Sequence, residues 1–306
     1  MEPETLSRTA LVAAMIRAIH DKHHSPKIFE DPFAEQLLND GDREFCESLM
    51  LNIFKEHNPS VDIDAMERDV ALANIVSMGL TSACALSRAR YAEDKLQELI
   101  YKGIKQYIIL GAGFDTYGLR TAIEPKDFKV FEVDHPATQT AKKSGIIAAG
   151  LEIPPCVQFV PCDFTKDQVD ESLSTNEEFS RQVRSFFSWL GVTYYLSRTT
   201  ILEVLHAIRR VCSCGSSIVL DFIEEDAFDP DKVSERAKPI AAIIASLGEP
   251  LLTGLSPTTL DTDLSECGFR LRELLSPVEI QARYFGNRAD GMYAAEHIHF
   301  AWLTAD

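Results

Sequence analysis

The first hundred residues carry apolar side chains at the spacing of an α-helix. In residues 9–19 these side chains recur every three or four positions, which predicts an amphipathic helix. In residues 30–38, Asp31 stands before a proline and predicts the N-cap of a second helix. Residues 64–100 contain no proline, so we expect two helices there, or one helix kinked near Gly79.

After residue 105 the pattern changes to short β-rich runs that alternate with helical segments. The predicted strands are residues 107–110, 129–133, 157–161, 185–189, 216–223, 269–275 and 296–303. The predicted helices between the first of them are residues 115–123, 136–149, 164–173 and 198–211. Alternation of this kind predicts a parallel sheet with helices on both faces and ligands at the carboxyl ends of the strands.

Two more helical stretches, residues 230–247 and 258–267, precede the last two strands. We expect those strands to form a hairpin with a sharp connection. No shift in composition marks a boundary, so residues 1–306 are predicted to be a single domain. A helical cap over residues 1–103 would cover a Rossmann-like core over residues 104–306, with insertions after the fifth strand. The predicted fold class is α/β, with a seven-stranded, mostly parallel sheet.

Composition and charge narrow the possible partners. The chain has 306 residues and a formal net charge of −17. Such a surface repels phosphate-rich ligands, so neither nucleic acid nor an anionic membrane is an expected partner. No stretch approaches the roughly 18 uninterrupted apolar residues of a transmembrane helix, and the acidic N-terminus does not resemble a signal peptide.

Cysteines and histidines give no metal motif. The seven cysteines are scattered and odd in number, which favours reduced thiols in the cytoplasm. Cys212 and Cys214 lack a second pair of ligands, so we expect a turn with two buried thiols and no zinc. The cluster of His20, His23 and His24 is expected at the solvated end of the first helix. No metal site is predicted.

The loop Gly111-Ala112-Gly113 lies between the first predicted strand and a helix. Glycines there let backbone N–H groups approach a ligand closely. A dinucleotide fingerprint needs a third glycine where this chain has Thr116, which disfavours NAD and FAD. A P-loop is excluded, because no Gly-Lys-Ser/Thr sequence follows. The loop suits a nucleotide with less phosphate, although a bare tight turn would show the same glycines.

Acidic residues end the next two predicted strands. Asp134 lies about twenty residues after the glycines, where a carboxylate can accept both ribose hydroxyls, or it could cap the following helix. Asp163 ends the third strand and could accept an adenine amino group, while Phe164 offers its backbone N–H and an apolar contact. Alone, Asp163 would be read as an N-cap. Together with the glycines, these acids predict S-adenosylmethionine binding in a Rossmann-like methyltransferase.

The segment LGAGFDTYGLR, residues 110–120, resembles the "LGAGxDT…R" block of the leucine carboxyl methyltransferase family. Further blocks of that family are resembled by FEVDHP at 131–136, RARYAED at 88–94, WLGVTYYL at 189–196 and SRTA at 7–10. The resemblance runs nearly from end to end. The family includes the enzyme that methylates the C-terminal leucine of a protein phosphatase catalytic subunit. It also includes bacterial O-methyltransferases thought to act on small molecules such as polyketides.

The resemblance implies roles for individual residues. Arg88 should pair with the carboxylate of the cofactor, although without the motif a helix-surface salt bridge with Glu93 or Asp94 would be expected. Arg17 is a second candidate for that carboxylate, in competition with Arg8. The implied cofactor contacts are therefore Arg88, Gly111, Ala112, Gly113, Asp134, Asp163 and Phe164.

One position departs from the family pattern. Phosphatase-type members have Glu at the head of the fourth-strand block, where it can reach the ammonium of the cofactor, but this chain has Leu190. We expect backbone carbonyls, such as those of Gly111 or Ser188, to take over. Leu at this position resembles the bacterial small-molecule branch.

The expected reaction needs alignment and desolvation more than acid–base chemistry. A carboxylate acceptor is ionised at pH 7, whereas a hydroxyl would need a base, and no catalytic triad or carboxylate pair is evident. Tyr194, Tyr195 and Arg283 are candidates for the acceptor pocket, with Arg283 able to grip a carboxylate. Ordinary packing is the alternative for each. His297, two residues from His299 on the last strand, is a further candidate base.

The sequence thus predicts a cytoplasmic S-adenosylmethionine-dependent O-methyltransferase that acts on a carboxylate or hydroxyl of a small molecule. The alternatives are methylation of a protein C-terminal leucine, a non-catalytic homologue that binds the cofactor, and an NAD-dependent oxidoreductase. The oligomeric state has no signature in the sequence.

Overall fold

The computed structural model describes residues 6–120 and 127–306. It contains a seven-stranded sheet of order β3-β2-β1-β4-β5-β7-β6. The first five strands run parallel, and β7 runs antiparallel to both of its neighbours. The strands are β1 (Gln106–Leu110), β2 (Lys129–Asp134), β3 (Val157–Pro161), β4 (Ser185–Trp189), β5 (Ser217–Ile223), β6 (Phe269–Leu275) and β7 (Ile298–Ala305).

Helices cover both faces of the sheet. They are α1 (Arg8–His23), α2 (Asp40–His57), α3 (Arg68–Met78), α4 (Leu80–Ile100), α5 (Tyr117–Arg120), α6 (Pro136–Ala148), α7 (Val169–Ser174), α8 (Arg198–Val211), α9 (Ile240–Ser246), α10 (Leu260–Glu266) and α11 (Pro277–Ile280). Side chains alternate between the faces along each strand. In β1, Tyr107 and Ile109 join the core under α1–α4, while Ile108 and Leu110 join the core under α7, α8 and α10.

The predicted α/β fold with a mostly parallel seven-stranded sheet is confirmed. Three predicted strands and the helix over residues 198–211 coincide with β3, β4, β6 and α8. The break expected near Gly79 is also present, since α3 and α4 meet there at an angle of 74°. No single helix of the described residues is long and apolar enough to cross a membrane, although this bent pair passes the same length and composition test. The predicted single-domain organisation stays a prediction.

Three predicted helices are shorter than expected. Residues 30–38 form only a 3-10 turn at Glu35–Leu37. Asp31 does accept the N–H of Ala34 at 3.1 Å, as an N-cap would, and it also accepts hydrogen bonds from Arg17 and Thr116. The predicted helix over residues 164–173 begins only at Val169, after a turn that starts at Asp163.

In residues 230–247 only α9 is helical, because Pro239 disfavours helical backbone at the residue before it. The end of the helix predicted over residues 115–123 lies outside the described residues.

The connection between the last two strands also differs from the prediction. β6 and β7 are antiparallel neighbours, but residues 276–297 join them through α11 and a π-helical turn at Gln281–Phe285. β7 then inserts between β5 and β6. The expected sharp connection is therefore wrong, because α11 and the π-helical turn stand between the two strands.

The predictions for the histidine and cysteine clusters are partly wrong. His20 and His24 are buried and stacked, with ring centroids 4.8 Å apart, although His23 is exposed. The following segment folds back over the end of α1, so that the backbone N–H of Ile28 donates to Nε2 of His20 at 2.9 Å. Cys212 is buried in the turn after α8 as expected, but Cys214, still in that turn, is exposed.

Candidate active site

A cleft of about 340 Å³ opens at the carboxyl ends of the parallel strands. Its floor is the loop after β1, and the ends of β2, β3 and β4 form one side. The N-terminal half of α1, one face of α4 and the segment around Glu249 close the other side. We call this space the glycine cleft. Right-handed crossovers bring these loops to one edge of the sheet, which is where ligands bind in this class of fold.

Glycine is required at two positions in the floor of the glycine cleft. Gly111 has φ = +71°, and a Cβ atom there would lie 2.3 Å from Cγ2 of Val192. Gly113 has φ = +50°, and its N–H donates to a carboxylate oxygen of Asp134. The N–H of Gly111 donates to the carbonyl of Val133 at 2.8 Å, which folds the loop against β2. Larger residues would fill the floor of the cleft and strain the turn.

Asp134 lines the glycine cleft at the end of β2. Its oxygens accept the backbone N–H groups of Gly113 and His135. The N-cap of α6 is His135, whose Nδ1 accepts the N–H of Ala137, so the alternative helix-capping role of Asp134 is wrong. Burial raises the pKa of Asp134, and the two N–H donors oppose this effect. The carboxylate is thus held in place by the glycine loop itself.

Asp163 and Phe164 lie together at the rim of the glycine cleft. Asp163 accepts hydrogen bonds from the N–H and hydroxyl of Thr165 and from the ammonium of Lys166. Burial disfavours its ionisation, but these bonds outweigh it and lower the pKa of Asp163 to about 2. It is therefore a fixed acceptor at neutral pH.

Arg88 projects from α4 into the glycine cleft. Its Nη1 donates to the hydroxyl of Tyr194 at 2.8 Å and to Oδ2 of Asp221 at 3.2 Å. The alternative surface salt bridges are wrong, because Glu93 pairs with Arg120 and Asp94 pairs with Arg90. The other end of the guanidinium faces Gly191, since a Cβ atom on Gly191 would lie 2.4 Å from Nη2 of Arg88.

Asp221 is a site residue that the sequence patterns did not predict. This residue is fully buried in the middle of β5, and its Oδ1 accepts the N–H of Gly191 at 2.6 Å. One carboxylate therefore fixes both Arg88 and the turn after β4. The signal for it was a lone acid inside the apolar run of residues 217–223, where an unpaired charge would be costly.

Leu190 also lines the glycine cleft, so no carboxylate projects from that position. The cleft residues include two acids besides Asp134 and Asp163, namely Asp115 and Glu249. Glu249, which no sequence pattern predicted, accepts hydrogen bonds from Ser7, Thr9 and the N–H of Arg8. It thereby fastens residues 249–252 to the start of α1.

The structure separates the two arginine candidates of α1. Arg17 lines the glycine cleft, where Nε donates to Asp31 and Nη2 donates to the carbonyl of Phe114, both at 2.8 Å. Arg8 is exposed and stacks over the ring of Phe45 at 5.6 Å. Arg17 is therefore the one that can reach a ligand in the cleft.

The three acceptor-pocket candidates do not come together. Tyr194 and Tyr195 follow β4 and contact each other edge to face, with ring centroids 4.8 Å apart. Arg283 lines neither the glycine cleft nor the cavity described next, because its guanidinium pairs with Glu273 of β6 at 2.9 Å. This ion pair attaches the π-helical turn to the sheet, so Arg283 is not in position to grip an acceptor.

A second space of about 490 Å³ adjoins the glycine cleft, and we call it the apolar cavity. Its walls come from α1, α2, α3, α4 and α9 and from the ends of β5 and β7. Most of its lining is aliphatic or aromatic, including Val12, Ile16, Leu49, Met50, Ile53, Phe54, Ile75, Ile240, Ile243 and Ile244. His297 lines it too, but both ring nitrogens are engaged, by Glu224 and by the N–H of Ser234.

Six residues line both spaces and form what we call the junction. They are Thr9, Ala13, Ala85, Arg88, Tyr194 and Tyr195. The two alanines leave room between the spaces, while the arginine and the tyrosines supply the polar groups. The arrangement can hold a polar nucleotide on one side and an apolar molecule on the other, with their reactive ends meeting between Arg88 and the tyrosines. Among the described residues, no group of three or more His, Cys, Asp or Glu is placed to hold a metal ion.

Known proteins are similar to this chain in family, sequence and structure. The family model described as leucine carboxyl methyltransferase matches residues 10–209. The Bacillus subtilis protein YktD is 34% identical over 303 residues, covering 98% of both chains, and its name describes an S-adenosyl-L-methionine-dependent methyltransferase. A Parafrankia protein with a name of the same kind is 27% identical over 272 residues, covering 88% of this chain and 78% of that protein.

Two solved structures are similar in fold. A duf574 family protein from Streptomyces avermitilis superimposes with a TM-score of 0.60 at 12% identity, covering 100% of this chain and 99% of the other. A Thermobifida fusca protein described as a methyltransferase gives a TM-score of 0.54 at 18% identity, covering 79% and 90% of the two chains. At these identities the likeness concerns the fold alone.

Proposed function

Because the chain belongs to the leucine carboxyl methyltransferase family and is an S-adenosyl-L-methionine-dependent methyltransferase, we propose that it methylates an oxygen of a small molecule. The observation that carries this proposal is the junction, where the glycine cleft opens into the apolar cavity. A carboxylate or a hydroxyl entering from the apolar cavity would face the methyl group there. The apolar cavity is walled by five helices, which suits a small molecule better than a protein terminus.

The residues of the glycine cleft fit the proposed cofactor. The glycines leave space where a Cβ atom would collide, and Asp134 is held at the end of β2, where a ribose could be bound. We assign Asp163 and Phe164 to the adenine, and Arg88 to the carboxylate of the methionine end. Arg17 is a second candidate for that carboxylate. With Leu190 in place of an acid, the ammonium would turn to Asp115, Glu249 or backbone carbonyls.

The bound cofactor would supply an activated methyl group. The protein would therefore have mainly to align the acceptor oxygen with that methyl group and to exclude water from both. Asp221 already fixes Arg88, which in turn donates to the hydroxyl of Tyr194, and this limits the reorganisation needed when both ligands bind. Helices around the apolar cavity exclude water from the acceptor oxygen, which strengthens its contacts with the tyrosine hydroxyls. We also propose a cytoplasmic location, which the free state of all seven cysteines supports.

Calorimetric titration with S-adenosylmethionine, S-adenosylhomocysteine and NAD tests the cofactor site. We expect binding of both sulfur nucleotides and none of NAD. Arg88→Ala and Asp134→Ala should each weaken binding by about 1–3 kcal/mol, the scale of a lost hydrogen bond to a charged group. Arg90→Ala, an exposed site on the same helix, and Asp127→Ala, an exposed site before β2, are matched controls that should change nothing. Absence of heat with either sulfur nucleotide would refute the cofactor assignment.

A labelled methyl donor separates the acceptor classes. The protein is incubated with the donor and a cell extract, and the label is then partitioned between precipitated protein and the small-molecule fraction. We expect the label in the small-molecule fraction. Label on the C-terminus of a protein would favour the runner-up function, and cofactor binding without any transfer would favour a non-catalytic homologue.

A further inference from the structure

Glu249 connects the junction to the start of α1 through a short chain of hydrogen bonds. Its Oε2 accepts the hydroxyl of Thr9, a residue of the junction, and the hydroxyl of Ser7 at 3.3 Å. Its Oε1 accepts the backbone N–H of Arg8 at 2.8 Å. Thr9 and Glu249 are only half-buried, so a proton can pass from this carboxylate to solvent. A carboxylate therefore stands one hydroxyl away from the point where the two spaces meet.

The hydroxyl of Thr9 is oriented to relay a proton. A threonine hydroxyl carries one proton and two lone pairs. Its proton is directed at Glu249, and at most one lone pair is used by Tyr195, whose hydroxyl also bonds to Thr9. Burial raises the pKa of Tyr195, so this phenol stays protonated at neutral pH and does not itself remove a proton. The oxygen of Thr9 is thus left as an acceptor for the O–H of a molecule in the apolar cavity, which Thr9 also lines.

Other ionisable groups near the junction are already engaged. Asp221 reaches the junction only through its arginine, and the N–H of Gly191 takes the other oxygen of this acid. Nε2 of His297 accepts a backbone N–H at 2.9 Å. Burial raises the pKa of the Cys84 thiol to about 12. Of the acids that line the glycine cleft, Glu249 is the one bonded to a hydroxyl of the junction.

The charges around the junction favour a neutral acceptor. In the proposed function Arg88 binds the carboxylate of the methyl donor. Arg236, the other arginine that lines the apolar cavity, pairs with Glu296 at 3.1 Å. A carboxylate acceptor beside Thr9 would therefore face the charge of Glu249 without a cation of its own. A hydroxyl is uncharged, and the oxygen of Thr9 is the acceptor that its proton needs.

Among hydroxyls, a phenol suits this proton acceptor best. A phenol has a pKa near 10, as in a tyrosine side chain, whereas an alkanol is far less acidic. Transfer of its proton toward a carboxylate, while the oxygen attacks the methyl group, is therefore much less unfavourable. The walls of the apolar cavity, which include Ile16, Phe54 and Ile243, suit an apolar ring.

We propose that the acceptor is a phenolic hydroxyl on a largely apolar small molecule and that Glu249 takes up its proton through Thr9, a conclusion that rests on the methyl transfer proposed above. The phenol oxygen forms a bond to the methyl carbon, while the bond from that carbon to sulfur breaks and its electron pair stays on sulfur. The phenol proton passes to the oxygen of Thr9, whose own proton passes to Oε2 of Glu249. The products are an aryl methyl ether, a neutral thioether and a protonated carboxyl group, which returns its proton to solvent.

Compounds that share one skeleton test the acceptor class. They are 4-pentylphenol, 4-pentylbenzyl alcohol and 4-pentylbenzoate, with 2-naphthol and 2-naphthoate as a second set. The purified full chain is incubated with a methyl-labelled donor, and the products are treated with mild alkali. A methyl ester then releases volatile labelled methanol, whereas a methyl ether does not. We expect alkali-stable label from at least one of the two phenols, and little or none from the alcohol or the carboxylates.

Substitutions separate the relay from a structural role. Glu249→Gln keeps an oxygen for the donors of α1 but cannot take up a proton, and Thr9→Val removes the relay with little change of shape. Each should lower kcat/KM for the phenol at pH 7 by about 100-fold or more, the scale of general base catalysis, without weakening donor binding. Thr9→Ser restores the hydroxyl and should recover most of the rate. Glu235→Gln, at an exposed acid on the same connection between β5 and β6, is the matched control and should behave like the wild type.

The dependence of the rate on pH tests the relay directly. In the wild type, kcat/KM for the phenol should be nearly constant from pH 7 to pH 9, because the relay removes the proton. In Glu249→Gln and Thr9→Val it should rise about tenfold per pH unit, because only the phenol that has already ionised then reacts. A flat profile in both variants would contradict the relay.

Several results would overturn the proposal. Alkali-volatile label from a carboxylate as the main product would show a carboxylate acceptor, and equal transfer to the alcohol would show that the acidity of the hydroxyl is irrelevant. Weaker donor binding in Glu249→Gln, with a flat pH profile, would assign Glu249 to the ammonium of the donor instead. Transfer to neither phenol, while calorimetry shows that the donor binds, would refute the acceptor class alone. If the donor itself does not bind, the proposed function fails and not this inference in particular.

Discussion

The buried pair of histidines at the end of α1 makes stability depend on pH in a predictable direction. Burial, the neighbouring ring of His24 and the charge of Arg288 lower the pKa of His20 to about 3. In the unfolded chain a histidine has a pKa near 6.5. The folded protein therefore binds fewer protons than the unfolded chain between these two values. Stability is complete above pH 6.5 and is lost as the pH falls from 6.5 toward 3.

The magnitude follows from the distance to the unfolded pKa. At pH 5 the unfolded state gains about 2 kcal/mol from protonation of this one imidazole, because each pH unit below 6.5 contributes about 1.4 kcal/mol. Protonation in the folded state is disfavoured because Nε2 already accepts the N–H of Ile28, and Nδ1 has no partner among the described residues. The charged ring would thus carry two N–H donors, one facing the N–H of Ile28 and one without an acceptor among the described residues.

Urea unfolding followed by circular dichroism at pH 7 and pH 5 measures this effect. His20→Gln should be less stable than the wild type at pH 7, but its loss of stability between pH 7 and pH 5 should be smaller by about 2 kcal/mol. His57→Gln, at an exposed histidine of α2, is the matched control and should keep the wild-type difference. Carboxylates titrate alike in all three proteins and cancel in the comparison. An unchanged pH dependence in His20→Gln would refute the reasoning.

Three further predictions concern the glycine cleft and its support. Gly111→Ala should abolish measurable binding of the methyl donor in calorimetry, since its Cβ would lie 2.3 Å from Val192. The control is Gly150→Ala, at a glycine with φ = +68° where an added Cβ would have no atom within 4 Å, and it should leave donor binding unchanged. Asp221→Ala should lower the free energy of unfolding by about 1–3 kcal/mol because it removes the buried acceptor of the Arg88 guanidinium and of the Gly191 N–H, while Ser217→Ala on the same strand, whose hydroxyl has no partner among the described residues, should be nearly neutral in urea unfolding. Lys142→Met should lower the free energy of unfolding by about 3–5 kcal/mol, because it leaves the buried Glu132 without its partner. A second substitution, Glu132→Leu, should recover most of this loss in urea unfolding. If the double variant is no more stable than the single one, the ion pair is not the cause.

Most of the sheet could be predicted from the sequence because its signals are local. Alternation of apolar runs with helical segments located all seven strands, and the glycines with the acids after β2 and β3 located the donor side of the site. The family blocks added Arg88, whose role no local pattern could indicate. What failed were predictions that depend on distant partners. Asp31 accepts the N–H of Ala34 as a cap would, but its hydrogen bonds from Arg17 and Thr116 could not be predicted from the local sequence.

The acceptor side was harder to predict for the same reason. The apolar cavity is assembled from residues as far apart as Val12 and Ile298, so no segment contains a recognisable part of it. Arg283 seemed suited to a carboxylate, but the long connection before β7 places it beside Glu273. Asp221 was not predicted because a lone acid in an apolar strand indicates a buried partner but does not show which distant residues that partner is.

The walls of the apolar cavity have a consequence for how such proteins can diversify. They come from the helices before β1 and from α9, whereas the family model ends at residue 209, before α9. Substitutions in α9 can reshape the space offered to an acceptor without disturbing the loops that hold the methyl donor. Donor use and acceptor range are thus separable traits of this architecture. Exchange of residues 236–247 between relatives should transfer substrate preference while the donor site is inherited unchanged.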